Sequence, residues 1–85
     1  MKLLFHKNFW KQYKKLTFLR KRIDERIELF EQDPNNRILE NHTLSGKRRG
    51  QRSINITGDY RAIYYLIDSD TAHFIDLDTH PNLYR

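Results

Sequence analysis

The chain contains no cysteine, only three glycines and only two prolines in 85 residues. Without thiols, disulfides, thiolate metal ligands and a cysteine nucleophile are all excluded. A chain free of thiols fits a reducing compartment, and the cytoplasm is the expected location. No apolar run approaches the roughly 18 residues that a membrane span needs. "MKLLF" passes at once to His6, Lys7 and Asn8, so no secretory leader is read there and no membrane partner is expected. The few glycines form no nucleotide-binding pattern: "SGKRRG" and "GDYR" fit neither a P-loop nor a dinucleotide fingerprint. Acid is missing locally as well, since Met1 to Ile23 holds eight Lys or Arg and no Asp or Glu.

What is present is small, basic and aromatic. A chain of this length is read as a single domain spanning 1–85, burying about 60–65% of the surface its unfolded form exposes. With 38% hydrophobic and 13% aromatic residues, its core is expected to rest on Phe, Tyr and Trp10. The net charge is +5, and a second basic group, Lys47, Arg48, Arg49 and Arg52, follows the N-terminal one. Such patches favour a polyanion, most often nucleic acid, through phosphate neutralisation and counterion release. The N-terminal lysines also fit a plain solvated helix face.

The periodicity changes along the chain. "KLLF" reads as a strand and "KNFWKQYKKL" as an amphipathic helix with a cationic outer face. Thr17 is a candidate cap for a second helix, in which Leu19, Ile23, Ile27 and Phe30 form one stripe; Pro34 stops it. A connecting loop with a short helical turn near Ile38 and Leu39 follows. From Ser53 the period is two, with Ile54 and Ile56 alternating with polar residues. Gly58–Asp59 and "DSD" are turns, so three strands in a meander are expected. The predicted fold is α+β, in the order β-α-α-β-β-β: a four-stranded, antiparallel-rich sheet with two helices packed on one face.

If helices cover one face, Asn55 and Arg61 point to the other. Arg61 suits either a cross-strand salt bridge to Asp76 or Asp78 or a bidentate clamp on phosphate. His6 and His73 read as structural; His42 and His80 lie in loop sequence, where imidazoles serve as proton donors or acceptors. Asp76, Asp78 and His80, two residues apart, are a rival ligand set for a metal. No ligand-spaced signature accompanies them, and neither a metal nor a cofactor is expected.

"HTLSGKRRGQRSINITGDYRAIYYL" followed by "DTHPNLY" resembles the RelE/ParE superfamily of type II toxin–antitoxin toxins, and within it the YafQ-like ribonuclease branch. The likeness runs from His42 to Tyr84 and rests on a His–x–Leu–x–Gly–Lys pattern, a "DYRxIY" strand and a closing "TH" motif. It implies a ribosome-dependent endoribonuclease, an mRNA interferase, that cleaves translated mRNA by 2′-hydroxyl attack on the scissile phosphate. It also implies that His42, Asp59, Arg61, His80 and Tyr84 form the catalytic set, with Tyr84 stacking on a base. Lys47, Arg48, Arg49, Arg52 and Asn55 would then hold RNA, and the partners would be the ribosome, mRNA and a cognate antitoxin with an acidic toxin-binding segment. Asn55 stands where some members carry a histidine, Asp78 where glycine is usual and Pro81 where serine is. Two alternatives stay open: a non-enzymatic DNA gyrase inhibitor of the ParE type, and a catalytically weakened RNA- or ribosome-binding protein of this fold.

Overall fold

The computed structural model describes residues 1–83. Strand β1 (Lys2–Phe5) leads into helix α1 (Lys7–Lys15) and, through a 3-10 turn at Thr17–Leu19, into helix α2 (Arg20–Gln32). A 3-10 turn at Arg37–Leu39 precedes β2 (His42–Thr43), and another at Gly46–Arg48 precedes β3 (Arg52–Asn55). The chain then forms β4 (Tyr60–Asp68), β5 (Thr71–Thr79) and a single helical turn, α3 (His80–Leu83).

The α+β class and the order of the main elements are as expected, but the sheet has five strands, ordered β1-β5-β4-β3-β2. The added strand is β2, two residues long, in a stretch expected to be loop. It pairs antiparallel with β3, His42 opposite Ser53 and Thr43 opposite Arg52. β1 crosses to the far edge and pairs parallel with β5, Leu3 opposite Ala72 and Phe5 opposite Phe74. The sheet is therefore mixed.

Helix boundaries follow local chemistry. His6 caps α1, its Nδ1 accepting the Asn8 N–H at 3.0 Å, which satisfies one of the orphan donors of the first turn. Thr17 does not cap α2; it starts the 3-10 turn instead, and Leu19 occupies the cap position without a side-chain bond. The helix ends at Gln32, ahead of Pro34, as expected.

Packing places Phe9 of α1 and Ile23 and Phe30 of α2 against Ile54, Ile56, Ala62, Tyr64, Ala72, Phe74 and Leu77 of the sheet, all at most 2% exposed. Phe30 meets Tyr64 and Phe74 edge-on at 4.8 and 5.2 Å between centroids, the geometry that ring quadrupoles favour. Trp10 is not part of this core. It is 42% exposed and lines a groove with Leu3, Phe5, Tyr13 and Ile27. On the same side the Tyr13 hydroxyl donates to Asp24 at 2.7 Å, and that bond to a carboxylate raises the phenol above its ordinary pKa.

One irregularity sets which residues face where. Ile63 pairs with Asp76 but Tyr64 pairs with Phe74, so Ile75 is an extra residue on β5. Such a bulge reverses the alternation beyond it. Phe74 lies in the core, yet Asp76 and Asp78, two and four residues on, fall on the face away from α2, where α1 borders them: Gln12 donates to Asp78, and Asp76 lines a hollow with Asn8, Lys11 and Lys15.

Candidate RNA-binding and catalytic face

The register defines rungs across the face opposite α2. The middle rung is His42, Ser53, Ile63 and Asp76; the next is Asn55, Arg61 and Asp78. Beyond it, His80 N–H donates to the Asp59 carbonyl at 2.8 Å, closing the end of the β4–β5 ladder. Asp59 and His80, 21 residues apart in sequence, are thereby neighbours at one exposed end of the sheet, one step from Arg61. Tyr84 lies outside the described residues.

His42 does not join them. It is exposed on β2, three strands from β5. At about 4.8 Å per strand that is ~14 Å across the sheet, before the offset along it. His42 Nδ1 lies 2.8 Å from the Glu40 carbonyl. A carbonyl only accepts, so Nδ1 carries the proton and, in the neutral ring, Nε2 is left as the acceptor. Glu40, at φ +45°, turns the chain into β2, and its carboxylate accepts from the Asn55 amide. The Asn55 oxygen in turn accepts from Arg61 Nη1. A polar chain, Glu40–Asn55–Arg61, thus runs across the sheet.

Neither Asp76 nor Asp78 forms an ion pair with Arg61 among the described residues. The oxygens of Asp78 accept from Gln12 Nε2 at 3.1 Å, Asn82 Nδ2 at 3.2 Å and the Thr79 N–H at 2.7 Å. Arg61 Nε is buried and has no hydrogen-bond partner among the described residues. This guanidinium is held in place by an amide rather than neutralised by an acid beside it, which suits an anion-binding group.

The basic segment divides. Lys47 and Arg49 are exposed, as a phosphate-binding role requires. Arg48 is committed elsewhere: Nη2 pairs with Asp76 at 3.0 Å, Nη1 donates to Gln51 Oε1 at 2.9 Å and Nε to the Leu83 carbonyl at 3.0 Å. It spans the middle rung, where Ile63 and Ser53 are fully buried although they lie on the face away from α2. That face is therefore roofed at its centre and open at its ends. Arg52 is on the other side altogether, because it shares a rung with Thr43 and Tyr64. Its Nε donates to Asn41 Oδ1 at 3.0 Å and Tyr64 OH at 3.2 Å. Arg48 and Arg52, expected to hold RNA together with Lys47 and Arg49, are thus engaged within the protein, Arg48 by an ion pair and Arg52 by hydrogen bonds on the other face of the sheet.

Replacing Arg48 by Met should cost about 1–3 kcal/mol in urea denaturation, since it strands the Asp76 carboxylate and two further acceptors. Gly46 and Gly50 bracket this segment at φ +63° and +88°, and a methyl group at either would meet no atom within 4 Å. Changing either glycine to alanine should therefore cost about 1–2 kcal/mol from backbone strain alone. A thermal melt of each variant checks this.

No family model and no curated protein sequence matches this chain. Solved structures do. The crystal structure of YafQ from E. coli strain BL21(DE3) has a TM-score of 0.82 at 18% identity, covering 98% of this chain and 97% of its own. A copper-bound point mutant of a toxin from Helicobacter pylori has a TM-score of 0.79 at 26% identity, covering 99% of both chains. YafQ in the E. coli DinJ–YafQ toxin–antitoxin complex gives 0.79 at 19% identity over 98% of this chain and 96% of that one. The likeness extends from β1 to the closing helical turn in each, and no helix of the described residues is long and apolar enough to cross a membrane. The chain thus has the fold of these toxins, a mixed sheet with a helical layer.

Proposed function

We propose that this protein is the toxin of a type II toxin–antitoxin module and that it acts as a ribosome-dependent endoribonuclease on translated mRNA. The observation that carries the reading is the Asp59–His80 rung, two proton-exchanging side chains joined through a 2.8 Å backbone hydrogen bond, one step from Arg61. RNA supplies its own nucleophile. The 2′-hydroxyl gives up its proton and attacks phosphorus, the P–O5′ bond breaks, and the departing 5′-oxygen takes a proton. The products are a 2′,3′-cyclic phosphate and a 5′-hydroxyl end.

His80 and Asp59 exchange those two protons, and Arg61 stabilises the charge that builds on the phosphoryl oxygens. His42, three strands away, does not reach the same phosphate; with Nε2 outward it contacts RNA further along the strand, as do Lys47 and Arg49. Tyr84 completes the set as a stacking group. A cognate antitoxin with an acidic segment would neutralise the same cations, in line with a RelE-like fold that is also found in a DinJ–YafQ complex.

Primer extension on translating mRNA tests the proposal. Expression of the wild-type chain should produce cuts within codons that disappear with His80→Ala. Growth arrest with intact mRNA and altered DNA topology would replace this reading by a gyrase inhibitor of the ParE type. Ribosome binding without cuts would make it a catalytically weakened member of the fold.

A further inference from the structure

Phe18 has no role in the core or in the set of residues described above. It lies in the 3-10 turn between α1 and α2 and is 72% exposed, more than any other large apolar side chain among the described residues. Its ring stands edge-on to Tyr60 at 6.1 Å. Tyr60 follows Asp59 directly and opposes Thr79, the residue before His80. Phe18 also lines a hollow of about 340 Å³ with Leu19, Lys21, Arg22, Glu25 and Thr57. Thr57 Oγ1 accepts from the Asp59 and Tyr60 N–H groups at 3.3 and 3.1 Å, so one wall of the hollow is the turn that holds Asp59.

We propose that Phe18 is a stacking platform for a nucleobase next to the scissile phosphate of single-stranded RNA, with Lys21 and Arg22 holding the adjoining phosphates. This rests on the RNA-cleaving reading. A strand of RNA leaving the Asp59–His80 rung over the Gly58–Asp59 turn reaches the helix side of the sheet, where the exposed Phe18 ring stands beside Tyr60. An aromatic face with cations beside it is the arrangement by which single strands are gripped without regard to sequence. Arg22 is available for this: its partner Glu25 is 3.9 Å away and both side chains are about half exposed, a pairing too weak to compete with phosphate. Leu would serve a protein partner as well as Phe does, but it has no π face for a base.

The test uses the His80→Ala chain, so that RNA is bound without being cut, and a short single-stranded oligoribonucleotide carrying 2-aminopurine. Stacking should quench the 2-aminopurine fluorescence. Adding Phe18→Ala or Phe18→Leu should weaken binding by about 5- to 100-fold and abolish the quench, whereas Phe18→Tyr should keep both. An exposed side chain leaves the thermal melt unchanged in all three. If the parent chain binds RNA and either Phe18→Ala or Phe18→Leu binds it equally well, the platform is refuted while the ribonuclease reading stands. If RNA binding is unchanged and antitoxin binding is lost, Phe18 belongs to a protein interface and the proposal falls. A parent chain that neither binds RNA nor, as wild type, cuts it overturns both.

Discussion

His80→Ala should lower the rate of mRNA cleavage on programmed ribosomes by roughly 10²–10⁴-fold, the contribution typical of a positioned proton donor or acceptor. The fold should be almost untouched. The side chain is exposed, and alanine keeps the backbone bond from His80 N–H to the Asp59 carbonyl. Exposed substitutions of this kind usually change stability by less than about 0.5 kcal/mol. Arg61→Ala should be as inactive, because no other guanidinium among the described residues stands on that rung. Arg61→Lys should restore little, since an ammonium cannot reproduce the planar fork. His42→Ala provides the contrast. Across three strands it should weaken RNA binding more than the chemical step, so its effect should appear in KM rather than kcat. A His42→Ala chain whose kcat fell as far as that of His80→Ala would show that the two imidazoles work on one phosphate, and the geometry of the proposal would be wrong. Unfolding of His80→Ala by circular dichroism would remove the basis for reading its inactivity as chemistry.

Much of the fold is written locally. The stripe Leu19–Ile23–Ile27–Phe30 needs only a helix to bury it, Pro34 ends that helix, and the alternation around Ile54 and Ile56 with the Gly58–Asp59 turn specifies a hairpin. What escapes is non-local or too short to have a period. Two residues of β2 cannot display alternation, so His42 reads as loop until Ser53 is seen opposite it. The parallel pairing of β1 with β5 joins residues about 70 positions apart in the chain; nothing in "KLLF" chooses its neighbour. The bulge at Ile75 has a faint signal, the consecutive apolar pair Phe74–Ile75 where strict alternation wants a polar residue.

The candidate site shows the same division. Alternation alone puts Asn55 and Arg61 on one face, and their register confirms the pairing. Arg48 reads as RNA-binding because a charge run looks uniform in sequence. Its partner Asp76 is 28 residues on and reaches it only because the bulge turns that carboxylate to the outer face. Phe18 is hidden for the opposite reason: beside Leu19 it looks like more of the helix stripe, and only the 3-10 turn rotates it out to solvent.

Phe30→Ala should be the most destabilising single change, at about 3–5 kcal/mol. The side chain is fully buried where α2 meets the sheet, against both Tyr64 and Phe74. Removing it leaves a cavity against two touching rings that are themselves fixed, Tyr64 by its hydroxyl's bonds to Asn41 and Arg52 and Phe74 by its place in the central ladder. They cannot move in to fill the space, which puts the loss at the upper end of the range. A domain of this size has a total stability of order 5–10 kcal/mol, so the variant should be partly unfolded without denaturant. For Ile27→Ala, on the same stripe, the spacing alone implies a cost of roughly 2–5 kcal/mol. Its position at the rim of the Trp10 groove reduces that to about 1 kcal/mol, since much of the side chain's contact is with an open cleft that water already enters. Urea midpoints of the two variants separate these cases. Equal losses would mean that the groove is filled by the protein in solution and that the core extends to Trp10; a smaller loss at Phe30 would mean that α2 does not anchor the layer that holds the Asp59–His80 end of the sheet in place.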